Sequence, residues 1–380
     1  PVPKMSGVSN PVLQEKLTKF RENAVLPRHL AKNQQDLVLK KKHASMLETE
    51  KVMANISGEE FRLKHIDLVK DVPRVKLFIN DILPLMKEKN DWHVLPNVLQ
   101  GLKTVGFQMK LPVAEKIVRT AGLNGQQNVI LECLRRTKDT GMNLNNPILT
   151  KTVLFWIFYK AHELDETVEC IKKSLSMAEQ VLTMLEDIDF TGKRFQDNST
   201  HQRNHSETLG IPLSIAALLV SKSKSGKDKN GIVAKYATQF VKKSLVTPSP
   251  NLTGAINEAK RVCELGALIE THLKTQNLEE AANTRKMRNI EREKLGSRLA
   301  QWIHYMLLNN AIITGIKTSL PLLDSTFEYK TSLEERLLGL EKSVSEVESA
   351  WRELYSTQGK QPKSFLLSKI SGLKLSNAGV

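Results

Sequence analysis

His201 and His205 form the spacing in this sequence closest to a metal-binding pair, because two imidazoles at i and i+4 on a helix face one point. A stable site needs further donors. The segment His201-Gln-Arg-Asn-His205 is loop-forming, carries Arg203 between the rings and adjoins no Cys or carboxylate cluster. His162-Glu-Leu-Asp-Glu166 lacks the second His of a zinc-protease helix and reads as a turn between helices. A phosphate-binding loop needs Gly-x4-Gly-Lys-Ser/Thr after a strand. Neither Ser225-Gly-Lys-Asp-Lys-Asn-Gly231 nor Thr191-Gly-Lys193 supplies it. No Gly-x-Ser-x-Gly elbow occurs. Cys133, Cys170 and Cys263 each sit in a helical pattern, where a small buried hydrophobe is the ordinary role. Glu186, Asp187 and Asp189 crowd a helix end and read as a solvated acidic turn. The expectation is a protein that is not an enzyme, with no catalytic residue, no metal site and no cofactor.

Binding remains. The formal charge is +15, an excess that repels itself and is naturally offset by an acidic partner such as nucleic acid. It is uneven: 17 basic against 11 acidic residues in 1–90, 11 against 12 in 91–190, 11 against 4 in 191–260 and 17 against 14 in 261–380. A near-neutral module thus lies between basic flanks. The candidate RNA contacts are Lys40, Lys41 and Lys42; Lys222, Lys224, Lys227 and Lys229; and Arg285, Lys286, Arg288 and Arg292. Such side chains meet phosphates without reading sequence. The first two sets lack balancing acids, whereas Glu291 and Glu293 offer intrahelical pairs to the third.

The elements that must carry these residues are helices. Hydrophobic residues make up 40% of the 380 and aromatic ones only 5%, with Leu, Lys, Glu, Gln and Ala plentiful. Residues 1–11 read as an irregular lead-in. A long helical pattern follows from Leu30 to Ile56, then a capping box at Ser57-Gly-Glu-Glu60, a helix through Phe61–Val69 and another opened by Asp71 and Pro73. Helices run through Trp92–Val105, Pro112–Ala121, Gln126–Thr140, Pro147–Ala161 and Asp165–Asp187, with connections short enough for antiparallel hairpins. Further helices span Ile232–Leu245, 252–276 and 277–316. Leu333, Leu337, Leu340, Val344, Val347, Trp351 and Leu354 form a three-heptad seam, opened by a capping box of Ser332 and Glu335. That seam packs within the chain or on a partner helix.

The fold expected is all-α: stacked helical hairpins as a repeat-like solenoid, with a C-terminal long-helix, coiled-coil-like region. Its divisions are a basic helical region 1–90, a hairpin module 91–190, a polar, Lys-rich linker 191–231, and a helical region 232–380 with the heptad helix 332–355 and a basic tail. The longest apolar run, Ile211–Val220, is about half a membrane span, so no integral membrane association is expected. Three widely spaced cysteines fit a reducing compartment. Pro1 in place of Met fits either a removed organellar presequence or a trimmed boundary.

The stretch Val129-Ile-Leu-Glu-Cys-Leu-Arg-Arg-Thr-Lys-Asp-Thr-Gly-Met-Asn-Leu-Asn-Asn146 resembles the second helix and closing turn of a pentatricopeptide repeat. Pro147–Ala161 and the helix from Asp165 would be the next unit, although the latter runs longer than the family's own, and no nucleotide-reading residues carry over. Taken with basicity and reduced cysteines, the chain is similar in type to organellar RNA-associated helical proteins, above all accessory proteins of fungal mitochondrial ribosomes. The resemblance implies a mitochondrial matrix protein whose partners are RNA, rRNA first, and ribosomal proteins. An RNA-binding expression factor and a protein-only assembly factor of a respiratory complex stay open as alternatives.

Overall fold

The computed structural model describes residues 2–56, 58–192, 201–223, 227–228, 230–244 and 250–358. Two compact units account for the chain: Pro1–Glu166 with Ser176–Gln202, and Thr167–Leu175 with Arg203–Val380.

The first unit opens with an irregular lead-in that is anchored by two buried side chains, Pro3 and Met5. Met5 is only 2% exposed. Helix α1 (Pro11–Phe20) follows, capped by Asn10, whose Oδ1 accepts from the amides of Val12 and Leu13. The pattern expected as one helix from Leu30 to Ile56 is broken into α2 (Lys32–Leu39), a 3-10 turn at Lys41–His43, α3 (Ala44–Thr49) and strand β1 (Met53–Ile56). Lys40 turns extended (φ −84°, ψ 119°) and ends α2, and the Val38 carbonyl is taken by the Ile66 amide at 3.0 Å instead of continuing a helix. The helix expected over Phe61–Val69 is likewise corrected. Glu59–Arg62 is strand β2, antiparallel to β1, with Ile56 opposite Glu59 and Met53 opposite Arg62. Instead of a helix cap, the expected Ser57–Glu60 box spans a hairpin turn: Gly58 adopts a positive φ of 89° and donates its amide to Asn55 Oδ1 at 3.0 Å. Ser57 itself lies outside the described residues.

Next come α4 (Val75–Ile82), α5 (Lys89–His93), α6 (Leu95–Thr104), α7 (Leu111–Leu123), α8 (Gln127–Arg135), α9 (Thr137–Thr140) and α10 (Pro147–Tyr159). Then follow α11 (Val168–Met184), which contributes to both units, and α12 (Ile188–Thr191). These match the sequence reading closely, with stacked hairpins joined by short turns. Helix α10 is apolar all round and buries every residue from Val153 to Tyr159. It meets α7 where Gly122 faces the Trp156 indole, since a Cβ there would fall 2.5 Å from Trp156 Cγ. Gln127 Nε2 ties the pair by donating to Trp156 O at 2.9 Å and Gly122 O at 3.2 Å.

The second unit is built on α13 (Ser206–Ser221), α14 (Ile232–Lys243), α15 (Leu252–Lys274), α16 (Leu278–Ser319) and α17 (Lys330–Gln358). Within the polar 191–231 stretch, α13 is therefore a core helix, because Leu209 to Ala217 leaves no polar face. It approaches α16 at backbone range. Ser214 Oγ donates to Ala311 O at 3.0 Å, and a Cβ at Gly315 would collide with the Oγ, Cβ and Cα of Ser214. The heptad seam packs inside this unit, where Val344, Val347 and Leu354 join Trp302, Met306 and Val262 in one cluster, with Trp351 half-buried against it. The expected cap at Ser332 and Glu335 is replaced by an earlier start, because the Leu333 amide already donates to Tyr329 O. Among the described residues no helix is long and apolar enough to cross a membrane.

Two expectations test this packing. Asp91, 1% exposed, accepts from the amides of Ser9 (2.7 Å), Glu88 (3.1 Å) and Lys87 (3.2 Å), so it staples the lead-in to the start of α5. Burial pushes its carboxyl up, but the amides of Glu88, Ser9, Lys87 and Asn10 outweigh burial and hold it below the ordinary carboxylate range. A depressed folded pKa stabilises above the unfolded value and is lost as pH falls through the folded one. Asp91→Ala should cost about 3 kcal/mol at neutral pH. Denaturant titrations should show the gap between wild type and Asp91→Asn closing on acidification below that range. In the second unit, Gly315→Ala should cost about 3 kcal/mol or more by overpacking, read as a lowered melting temperature. Gly339→Ala, where a Cβ meets nothing within 4 Å, is the control.

Candidate nucleic-acid interface

Lys40, Lys41 and Lys42 stand on a rigid base. Val38 and Leu47 on either side of them enter a core with Leu26, Leu30, Ala54, Ile56, Leu63 and Ile66. The Ile66 amide donates to Val38 O at 3.0 Å, and His65 Nδ1 lies 2.9 Å from the same oxygen. The chain after the hairpin thus clips the end of α2. Above this base all three lysines are exposed. Lys40 pairs with Asp36 at 2.7 Å. The Lys40 hydrogen bond holds the Asp36 carboxyl below its ordinary range, with Lys40, Lys32 and Lys42 adding charge attraction. Several lysines therefore gather around one carboxylate, and the surplus is positive. Among the described residues, no carboxylate lies within ion-pair distance of Lys41 or Lys42.

The second set is only partly described. Lys222 is the exposed C-cap of α13 and Lys227 is exposed, whereas Lys224 and Lys229 lie outside the described residues. Lys227 shares a groove of about 760 Å³ with Lys242 of α14 and the segment Pro321–Tyr329. Asp228 in that groove is occupied as a cap, accepting from the amides of Ile232 (2.8 Å) and Ala234 (3.0 Å). Lys242 Nζ sits 5.0 Å from the Tyr329 ring centre, and Lys235 Nζ 5.2 Å from that of Tyr236. Sequence reasoning missed these α14 lysines. The signal was the i, i+7 spacing of Lys235 and Lys242, with Lys243 beside the latter.

The third set divides. Arg285, Lys286 and Arg292 are exposed on α16. Arg288 instead lies across the seam with α15, where its guanidinium occupies the space that a Cβ at Gly266 would need. Its Nε is buried with no hydrogen-bond partner among the described residues, so Arg288 is a packing residue. Glu291 pairs with Lys294 at 2.9 Å, which leaves Arg292 to solvent.

The residues with possible chemistry are used structurally. His205 is the N-cap residue of α13 and Gln202–Asn204 a 3-10 turn. Among the described residues no three His, Cys, Asp or Glu side chains gather as metal ligands would. Burial pushes the Cys133 thiol far above its ordinary value, and Cys170 is buried too. Cys263 departs from the expectation: it is exposed, on the outer side of α15. Asp187 caps α12, and Asp189 pairs with Lys138 at 2.6 Å. The expected turn is confined to residues 165–167, because Lys160–Leu164 continues α10 as a π turn, with His162 stacked on Phe158.

What the arrangement offers among the described residues is exposed cationic surface. Comparison with known proteins points the same way. A relative in Neurospora crassa, "Small ribosomal subunit protein mS27", is 28% identical over 186 residues, which is 49% of this chain and 47% of that protein. The chain thus matches about half the length of that curated relative. The family model described as "Mitochondrial ribosomal protein mS27" (Mrp13) matches residues 1–366. Because that match runs through both compact units, the chain belongs to the mitochondrial ribosomal protein mS27 family.

Proposed function

We propose that this protein is a non-catalytic structural component of the mitochondrial ribosome, residing in the matrix, in which helical units hold neighbouring ribosomal proteins and exposed lysines neutralise rRNA phosphate. The family match over residues 1–366 carries the reading. Lys41 and Lys42 support its electrostatic part: they are exposed, lack carboxylate partners among the described residues, and stand on a hydrophobic clip that fixes their position. Fixed cations lose less freedom on meeting phosphate than cations on a loose chain. Lys222, Lys227, Arg285, Lys286 and Arg292 are secondary contacts in the same proposal, joined by Lys235, Lys242 and Lys243.

The pentatricopeptide-like unit belongs to the proposal as architecture. Helices α8 and α9, the αL residue Gly141 and α10 follow its order of parts. A base-reading repeat needs an open face along its helices, and α10 is open only in its first turn, at Ile148. This favours scaffold over sequence-reading factor.

Sedimentation of the native protein tests the reading. Stoichiometric recovery with the small ribosomal subunit is expected, and loose RNA association or migration apart from RNA would overturn it. For the lysines, Lys41→Ala with Lys42→Ala should leave the melting temperature unchanged. The slope of log affinity against log salt for rRNA should become shallower by about 1.5, as two phosphate contacts are lost. An unchanged slope removes this turn from the interface.

A further inference from the structure

Helices α15 and α16 form an antiparallel hairpin whose buried seam includes Val262, Gly266, Ile269, Ala281, Thr284 and Leu295. One flank of this arm is defined by its own cross-links. Near the base, Arg298 Nε meets Glu258 Oε1 at 2.8 Å, and Glu291 pairs with Lys294 while also attracted to Arg261. At the tip, His272 Nδ1 lies 3.2 Å from Glu280. Between these pairs, helical periodicity places Leu265 and Leu268 of α15 beside Met287 and Ile290 of α16. Leu268 is 44% exposed, Met287 50% and Ile290 47%. An apolar window is therefore framed by charge at both ends. From Glu258 to His272 is a helical length of about 20 Å, by the rise per residue of an α-helix.

We infer that this window seats one amphipathic helix of a partner protein, bearing carboxylates at the end that lies over the arm's base. Two neighbouring helices with apolar residues on a shared flank form the groove into which a third helix packs. Charge supplies the orientation. At the base, the side chains of Glu258 and Glu291 are only 16% and 13% exposed, whereas those of Arg298 and Lys294 are 38% and 55% exposed, so the solvent-facing charge is cationic. At the tip it is anionic, since the Glu280 side chain is 60% exposed and that of His272 19%. A partner helix laid in reverse would set its carboxylates against Glu280. This goes beyond the phosphate contacts and uses none of their residues.

The test places a benzophenone-bearing phenylalanine at Leu268 or at Met287 of the full chain in mitochondria, followed by irradiation and peptide mapping of adducts. The expected adduct is a segment of another protein with apolar residues at helical spacing and Asp or Glu toward one end. An adduct with rRNA, lipid, a second copy of this chain or a segment without that pattern overturns the inference, as does no adduct. Leu268→Glu with Met287→Glu should leave the melting temperature unchanged and weaken recovery of the cross-linked neighbour about tenfold. Unchanged recovery also overturns it. Sedimentation with the small subunit is scored in parallel, so failure of the ribosomal reading is distinguished from failure of this window.

Discussion

Each unit is organised around one helix that has no polar face, and that constraint decides most of what surrounds it. α10 in the first unit and α13 in the second must be covered on every side, because apolar area left in water costs about 25 cal/mol per Å². Covering a helix completely requires close neighbours, and close neighbours require small residues. Gly122 admits the Trp156 indole, Gly210 admits Ile312, and Gly315 lets α16 come within reach of Ser214. Donors trapped at these contacts reach carbonyls across the helix pair, as Gln127 Nε2 and Ser214 Oγ do. The surrounding helices can then turn charged faces outward, and the excess of Lys and Arg over Asp and Glu makes that surface cationic.

Much of this was legible in the sequence where the period was clean. The helices between Trp92 and Asp187, the long pair α15 and α16, and the internal seam of α17 follow spacing that only a helix satisfies. The failures lie between Leu30 and Val69. There Leu37, Val38, Met46, Leu47 and Met53 mimic a helical stripe, while the decisive local cue was Asn55 three positions before Gly58, the pair that closes a hairpin turn. The cap at Ser332 failed for a related reason. A good capping pair two residues inside a helix is indistinguishable by type from one at its end.

Charge was harder to interpret than periodicity. Arg288, Arg292 and the three lysines after Leu39 look alike as letters, yet Arg288 fills a space made for it by Gly266, whereas Lys41 and Lys42 face solvent above a clipped core. The difference depends on a glycine twenty-two positions away, across a helix pair, and one-dimensional patterns carry no such information. The α14 lysines were overlooked for the opposite reason, since Lys235 and the pair Lys242–Lys243 are spread along a helix and form no long run of letters.

The anchored lead-in links stretches that are far apart in sequence. Asn97 donates to Lys4 O, Ser9 donates to Asp91, and Gly101 lies against Met5, so the opening residues are enclosed by residues some 80 to 100 positions later. A ribosome adds about 5–20 residues per second, so those partners follow the lead-in by several seconds. During that delay Pro3 and Met5 have only the nearer partners, Arg21 and Gln14, which donate to their carbonyls. The lead-in can therefore be covered only once residues 91–101 have been made, which ties the two stretches together late rather than early.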